Sequence, residues 1–145
     1  MKLKDYINEN IGVFGLGKTG TSVFRALKDN CKSIICYDDS ENNRNDFAMN
    51  FGQDHLIPLF DPKWKELDRI IISPGIPHSH QIFTIAKEYN ITISSDIELF
   101  IINNPESKFI FVSGTNGKST TTALIGHILL ENNMGYVVGG NIGAP

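Results

Sequence analysis

The sequence predicts an α/β fold whose first part is a doubly wound, mostly parallel sheet. Short apolar runs at residues 11–14 and 33–37 alternate with a stretch of helical periodicity at residues 18–29. Continuous apolar runs of this kind are typical of parallel strands that helices cover on both faces. A glycine-rich turn joins the first strand to the first helix, as it does in nucleotide-binding sheets. The first part of the chain is therefore predicted to be Rossmann-like.

The segment after the second strand is polar and turn-rich. Residues 38–46 contain many Asn and Asp residues and are predicted to form a loop. A short helix at residues 47–51 and a weak strand at residues 55–59 are expected to follow. Asp61 followed by Pro62 predicts a helix start, because Asp caps free N–H groups and Pro suits the first turn.

The last elements of this unit are predicted from their start and stop signals. Residues 69–72 form an apolar strand, and the proline that follows them shortly afterwards stops it. A helix at residues 79–89 and a short strand at residues 91–93 come next. The Ser-Asp-Ile-Glu sequence at residues 95–98 matches a capping box, which predicts a helix that continues to residue 102.

The chain is predicted to divide into domains 1–104 and 105–145, because an Asn-Asn-Pro sequence ends the last helix of the first unit. The second unit has the order strand, polar loop, helix and strand, at residues 108–112, 113–118, 119–132 and 136–138. Two strands are too few to complete a sheet. This unit is therefore expected to be the truncated start of a larger α/β domain, with an exposed apolar helix side.

Composition and charge exclude several function classes. The 145 residues are 41% hydrophobic and 20% charged, which is typical of soluble globular proteins. A net charge of −3 provides no basic surface for nucleic acid. No apolar run is long enough for membrane insertion, and the N-terminus lacks a secretory signal pattern. A cytoplasmic protein is expected, in which Cys31 and Cys36 are free thiols.

The first candidate binding motif is the glycine turn. Residues 15–20 read Gly-Leu-Gly-Lys-Thr-Gly, which matches G-x-G-x-x-G between a strand and a helix. Glycines let the backbone approach a diphosphate, and the helix N-terminus presents free N–H groups. Asp38 ends the second strand about twenty residues later, where a dinucleotide enzyme binds a ribose hydroxyl. The alternative is a tight turn whose glycines serve only packing.

The second motif is a phosphate loop. Residues 113–120 read Ser-Gly-Thr-Asn-Gly-Lys-Ser-Thr after a predicted strand. Backbone N–H groups can cradle phosphates, the Lys118 ammonium can neutralise their charge, and the Ser119 hydroxyl can bind Mg²⁺. The spacing departs from the standard phosphate loop, because Val112 occupies the position of its first glycine. The alternative is a capped helix after a glycine turn.

These residues resemble a known family. The Gly-Thr-Asn-Gly-Lys-Ser-Thr segment at residues 114–120 is similar to the ATP loop of the Mur ligases, which are ATP-dependent, amide-forming enzymes of peptidoglycan biosynthesis. Segments at residues 73–77, 96–100 and 139–143 resemble those of the D-glutamate-adding branch. They occur in the order of that family, and the resemblance extends over essentially the whole chain.

The resemblance implies that the first domain binds the UDP part of UDP-N-acetylmuramoyl-L-alanine rather than NAD. Asp38 and Asp39 would meet the uracil, although a neutral or hydroxyl residue is expected at position 39. The Lys18 and Thr19 backbone would meet the diphosphate. The implied substrate-binding residues are Gly17, Lys18, Thr19, Gly20, Asp38, Asp39, Gly75 and Asn141.

The resemblance also implies ATP and Mg²⁺ as cofactors, with Ser119 as a metal ligand and Lys118 as a catalytic residue that stabilises the transferring phosphoryl group. The substrate carboxylate would become an acyl phosphate, which the amine of D-glutamate would attack. The implied ATP-binding residues are Gly114, Thr115, Asn116, Gly117, Lys118, Ser119 and Thr120. The family's other catalytic residues follow Pro145, so this chain alone is expected to be inactive, and the full-length ligase a monomer.

Three alternatives compete with this interpretation. A nicotinamide-dependent oxidoreductase domain leaves the second loop unexplained. A folate-polyglutamating ligase has a similar ATP loop but no preceding UDP-binding domain. A non-catalytic nucleotide-sugar-binding module is possible for a truncated gene product. The remaining polar residues receive structural interpretations: Asp96 and Glu98 belong to the capping box, and His78 and His80 are expected to be solvated loop residues without a metal.

Overall fold

The computed structural model describes residues 6–139 and forms two compact units, Met1–Pro105 and Glu106–Pro145. The strands of the first unit are β1 (Asn10–Phe14), β2 (Ser33–Tyr37), β3 (Arg69–Ile72) and β4 (Thr92–Ser94). Its α-helices are α1 (Lys18–Leu27), α2 (Glu41–Phe51), α3 (Gln81–Glu88) and α4 (Asp96–Ile102), and a 3₁₀ helix spans Pro62–Glu66. The second unit contains α5 (Lys118–Glu131).

The four strands form one parallel sheet in the order β2-β1-β3-β4. The chain passes from β1 outward to β2 and then returns to place β3 on the other side of β1. This reversal is a topological switch point, and the loops that follow β1 and β3 diverge there. The predicted α/β fold with a doubly wound parallel sheet is confirmed.

Alternate residues along each strand face two separate hydrophobic clusters, because successive side chains of a strand point to opposite faces. In β1, Ile11 and Val13 belong to one cluster and Phe14 to the other. In β3, Ile71 belongs to the first cluster, while Ile70 and Ile72 belong to the second. The sheet is therefore covered on both faces, as the continuous apolar runs predicted.

Gly12 explains how the central strand accommodates a tryptophan. A Cβ atom at Gly12 would lie 2.6 Å from Leu67 Cδ1 and 2.8 Å from Trp64 Cζ3. The Trp64 side chain is fully buried, and its indole N–H donates to the Ile57 carbonyl at 3.1 Å. Because Gly12 has no side chain, the indole ring of Trp64 can pack directly against the backbone of β1.

Two local predictions for the first unit are wrong. Most of the loop predicted at residues 38–46 is helical, because α2 begins at Glu41, where the Ser40 side chain accepts from Asn43 N. Aromatic packing of Phe47 and Phe51 against Phe24 stabilises this helix despite its many Asn residues. The weak strand predicted at residues 55–59 is reduced to a single bridge between Cys36 and Leu56.

The second unit departs further from prediction. Neither of its two expected strands forms, since residues 108–113 and 134–139 have no regular structure. A strand needs a partner for its backbone hydrogen bonds, and Ile110 and Phe111 are more than 60% exposed. The helix itself is present as α5, and its Leu124 and Ile128 side chains are more than half exposed, as expected.

Candidate functional site

The carboxyl ends of three neighbouring strands are joined by hydrogen bonds at the switch point. Gly15 N donates to the Tyr37 carbonyl at 2.9 Å, which links the end of β1 to that of β2. Ser73 N donates to the Phe14 carbonyl at 3.0 Å, and Ser73 Oγ donates to the Gly15 carbonyl at 3.0 Å. The loops that follow β1, β2 and β3 therefore form one connected surface.

The structure explains why glycine is required at two of the three glycine positions of the first motif. Gly15 adopts φ +95°, and a Cβ there would lie 2.7 Å from Ser73 Cβ. A Cβ at Gly20 would lie 1.7 Å from the Gly15 carbonyl oxygen, so α1 packs directly on the turn. Gly17 has no atom within 4 Å of its Cβ position and an ordinary φ of −65°. Packing therefore explains Gly15 and Gly20 but not Gly17.

The space beside Gly17 lies at the start of α1. This helix begins without a side-chain cap, and its first backbone bond here runs from Thr21 N to the Gly17 carbonyl at 3.0 Å. The N–H groups of Lys18 and Thr19 consequently lack an intrahelical acceptor. Free N–H groups and the helix dipole together favour an anion at this position.

Asp38 is buried, and its carboxylate is used inside the protein. Its Oδ2 accepts from Leu16 N at 2.5 Å and from Asn43 Nδ2 at 3.0 Å, while Oδ1 accepts from Ser40 N at 2.8 Å. Asp38 thus fixes the glycine turn relative to the start of α2. This arrangement leaves little capacity for the ribose hydroxyl that a dinucleotide would present at this position.

Asp39 differs from its neighbour, because its side chain is 57% exposed. Its Oδ2 lies 3.0 Å from His80 Nε2, and Arg44 Nη1 donates to its carbonyl at 2.9 Å. His80 is only 15% exposed and packs on the Phe14 ring at 4.7 Å between centroids. The expectation of a solvated loop histidine is wrong for His80, because the ring caps α3 and contacts Asp39.

The loop after β3 contributes Gly75, which is exposed and has no atom within 4 Å of its Cβ position.

The capping-box interpretation of Glu98 is confirmed. Ser95 Oγ accepts from Glu98 N at 3.1 Å, and Glu98 Oε2 accepts from Ser95 N at 3.4 Å. Between residues 6 and 139, His, Cys, Asp and Glu side chains form no group of three that could hold a metal.

The second candidate loop precedes α5. Gly114 and Gly117 adopt φ values of +149° and +76°, which side chains disfavour, and the Cβ position of Gly117 faces open space. The Lys118 ammonium donates to the Gly114 carbonyl and, at 3.3 Å, to the Thr115 carbonyl. The turn geometry and the single cation fit a phosphate group, which would draw the ammonium away from these carbonyls.

The predicted substrate residues converge within the first unit. Those at the carboxyl ends of β1, β2 and β3 are Gly17, Lys18, Thr19, Gly20, Asp38, Asp39 and Gly75. Asn141 lies outside the described residues. Residues 114–117 form the turn that precedes α5 in the second unit, and residues 118–120 form the first turn of that helix. Sequence reasoning missed His80 and Arg44. The cap that His80 provides for α3 has no sequence signal, because the residues that favour helix N-caps are Ser, Thr, Asp, Asn and Gly.

No helix within the described part of the chain is long and apolar enough to cross a membrane.

Comparison with known proteins identifies the family. Residues 9–95 match the family model described as Mur ligase MurD-like, N-terminal domain. UDP-N-acetylmuramoylalanine–D-glutamate ligase of Rickettsia bellii is 55% identical over 94% of this chain and 30% of its own length. The ligases of the same name from Rickettsia prowazekii and Wolbachia pipientis are 51% and 42% identical over 97% and 100% of this chain.

These matches extend over nearly the whole chain, whereas the chain spans about 30% of the length of the curated relatives that it matches. The family model includes the glycine turn, Asp38, Asp39 and the loop after β3. The chain therefore belongs to the MurD-like branch of the Mur ligase family.

Proposed function

We propose that this chain supplies the UDP-binding end of a ligase that adds D-glutamate to UDP-N-acetylmuramoyl-L-alanine during peptidoglycan biosynthesis. The observation that carries the proposal is the uncapped start of α1 beside the open space at Gly17. It lies at the switch point of the sheet, where ligands of this fold bind. The names of the relatives supply the substrate class.

The diphosphate is assigned to the start of α1. The backbone N–H groups of Lys18 and Thr19 donate to its oxygens, and the Lys18 ammonium adds positive charge. Gly17 and Gly75 have open Cβ positions, so the substrate approaches the backbone closely at both. Gly20 contributes by letting α1 pack on the turn, and Asn141 is assigned to the same substrate by family resemblance.

The base is assigned to the loop after β2. Asp39 has an exposed carboxylate that accepts a hydrogen bond from uracil. Asp38 contributes indirectly, because its buried carboxylate accepts from Leu16 N and holds the glycine turn in place. This division of roles also argues against NAD, because the carboxylate that would bind the ribose already has three protein donors.

The second loop is assigned to ATP and Mg²⁺. Residues Gly114 to Thr120 surround the phosphates, Lys118 stabilises the transferring phosphoryl group, and Ser119 binds the metal. Transfer of that group to the substrate carboxylate forms an acyl phosphate. The amine of D-glutamate then attacks the carbonyl carbon, phosphate leaves, and an amide bond remains. We place this reaction in the cytoplasm, in a ligase that is monomeric at full length.

The anion site is tested with two substitutions of one residue. Lys18→Ala removes only the ammonium, whereas Lys18→Pro also removes the backbone N–H and is compatible with the first helical position. Calorimetric titration with UDP-N-acetylmuramoyl-L-alanine should show binding to the unmodified chain and a weaker affinity for each variant. We expect Lys18→Pro to bind about tenfold more weakly than Lys18→Ala, since charged acceptors strengthen a backbone hydrogen bond.

NAD serves as the competing ligand in the same titration. Binding of the UDP compound without NAD binding supports the proposed function. Binding of NAD alone would overturn it. Equal affinities of the Lys18→Ala and Lys18→Pro variants would show that the diphosphate does not bind to the backbone N–H group at the start of α1. The ATP assignment is tested separately with a fluorescent ATP analogue, whose binding should depend on Mg²⁺ and lose that dependence in Ser119→Ala.

A further inference from the structure

The contact between Asp39 and His80 connects two loops that bound the candidate site. Asp39 follows β2, and His80 precedes α3 in the loop that follows β3. Their side chains approach to 3.0 Å between Oδ2 and Nε2, and the imidazole packs on the Phe14 ring of β1. The pair thus spans the carboxyl ends of three strands, at the edge of the sheet where the substrate is proposed to bind.

The hydrogen bonds of His80 determine which nitrogen donates. Its Nδ1 accepts from the Ile82 backbone N–H at 3.1 Å, which caps the start of α3. A nitrogen that accepts a hydrogen bond carries no proton, so the neutral ring must carry its proton on Nε2. Nε2 then donates to the Asp39 carboxylate. The helix cap therefore selects the tautomer that holds Asp39.

The second restraint on Asp39 acts on its backbone. Arg44 Nη1 donates to the carbonyl oxygens of Asp38 and Asp39 at 2.6 and 2.9 Å. With its carbonyl held by Arg44 and its Oδ2 held by His80, Asp39 keeps one exposed carboxylate oxygen in a fixed position. A partly exposed hydrogen bond between two side chains contributes little net stability, on the order of 1 kcal/mol. Two restraints on an exposed acceptor are instead typical of a preorganised ligand-binding group.

We propose that His80 is a positioning residue for nucleobase recognition, which acts by orienting the Asp39 carboxylate toward the imide N–H of uracil. This inference rests on the proposed function. Uracil carries one N–H donor at N3, and a carboxylate oxygen is a strong acceptor for it. Without the Nε2 donor, the Asp39 side chain samples other rotamers, and part of the binding free energy is lost in ordering it.

The test is a double-mutant cycle in the binding of UDP-N-acetylmuramoyl-L-alanine. His80→Ser retains a hydroxyl that can cap α3 but cannot reach Asp39, and Asp39→Ala removes the acceptor. We expect affinity losses of about threefold to tenfold for His80→Ser and about tenfold or more for Asp39→Ala. The double variant should bind no more weakly than Asp39→Ala, because His80 acts through Asp39.

A second measurement distinguishes positioning from a general structural role. The unmodified chain should prefer UDP to N3-methyl-UDP, which lacks the donor. Asp39→Ala should lose that preference, and His80→Ser, which retains the acceptor, should reduce it. A merely structural role would weaken both ligands equally. His78→Ser is the matched control, since His78 lies two residues away, packs on Phe83, and should leave the preference unchanged.

The outcomes separate the two proposals. If the unmodified chain binds no UDP compound, the proposed function fails and this inference fails with it. If the unmodified chain binds but His80→Ser binds equally well, only the positioning role is overturned. Losses that multiply in the double variant would also overturn it, because they would show that His80 and Asp39 act independently. Thermal unfolding of each variant checks that the fold is retained.

Discussion

The backbone N–H of Leu16 donates to Asp38 Oδ2 at 2.5 Å, across 22 residues of sequence. This bond fixes the glycine turn after β1 to the end of β2. Because the turn presents the free N–H groups of α1, the orientation of the proposed anion site depends on Asp38. A carboxylate at the end of the second strand therefore serves the protein itself, although its position in sequence suggests a direct ligand contact.

Asp38→Asn should destabilise the first unit by about 1–3 kcal/mol. Three donors converge on two carboxylate oxygens, and an amide has only one acceptor oxygen, so its NH₂ group must face an N–H donor. Urea unfolding followed by circular dichroism measures the loss. The same exchange at exposed Asp46 on α2 is the control and should change stability by less than about 0.5 kcal/mol. Equal losses of stability in the two variants would mean that the hydrogen bonds of Asp38 do not stabilise the first unit.

Substitution by alanine should affect the stability of the fold very differently at Gly17 and at Gly20. Gly20→Ala places a Cβ 1.7 Å from the Gly15 carbonyl oxygen, so α1 must move, at a cost of about 3 kcal/mol. Gly17→Ala meets no atom within 4 Å, and its smaller unfolded-state entropy opposes the poorer N-cap preference of alanine, so stability should change by less than about 1 kcal/mol. Thermal unfolding separates the two variants.

Substrate titration completes this comparison. Gly17→Ala should weaken binding of UDP-N-acetylmuramoyl-L-alanine while the fold remains intact, because its methyl group occupies the space that the diphosphate is proposed to use. Unchanged affinity in a stable Gly17→Ala variant would show that the substrate does not approach the backbone there. A stable Gly20→Ala variant would show that the contact between α1 and the turn is not tight.

The sheet could be predicted from sequence because its signals are local. Ser33–Tyr37 and Arg69–Ile72 are apolar runs with clear ends, and both were predicted with the bounds that the structure has. The capping box that starts Asp96–Ile102 is likewise contained in four residues. Helix α2 was missed in part, because its stability depends on packing against Phe24, which is distant in sequence.

The candidate site could be predicted from the sequence only where its residues come from one continuous segment. The glycine turn is continuous, so its residues could be named from the sequence. The contact between Asp39 and His80 joins residues 41 positions apart, and only the strand order brings them together. Likewise, the strands expected in the second unit need neighbouring strands, which residues 106–139 do not provide.

The two cysteines should differ in their reactivity toward iodoacetamide. Burial, and secondarily the charge of Asp29, raises the pKa of the half-buried Cys31. Burial raises the pKa of Cys36 much further, and its side chain is fully buried. A raised pKa lowers the thiolate fraction at neutral pH, and the thiolate is the nucleophile. Alkylation of Cys31 should therefore be slower than that of a free thiol and should accelerate as the pH rises.

Cys36 should react only when the first unit unfolds. Trypsin cleaves after Lys32, so the two thiols appear on different peptides in mass spectrometry. Urea should equalise their rates, which controls for intrinsic reactivity. Rapid labelling of Cys36 in the folded chain would contradict the burial of β2.

The two units should differ in their resistance to trypsin. Lys108 lies in an irregular segment of the second unit, next to Ile110 and Phe111, which are 63% and 64% exposed. Cleavage requires local unfolding, and a segment with few buried contacts unfolds at almost no cost in free energy. The first unit must unfold cooperatively, so cleavage within α1 or α3 should be slower by on the order of a thousandfold or more.

Trp64 reports whether the first unit survives this cut. It is the only tryptophan of the chain and belongs to the 3₁₀ helix. Its side chain is fully buried in the core cluster on one face of the sheet, so its fluorescence emission lies at short wavelength while the fold is intact. We expect trypsin to cut after Lys108 without shifting that emission, and 8 M urea to shift it to longer wavelength. Cleavage in both units at the same rate, or an emission shift that accompanies the first cut, would show that the first unit depends on the second for its stability.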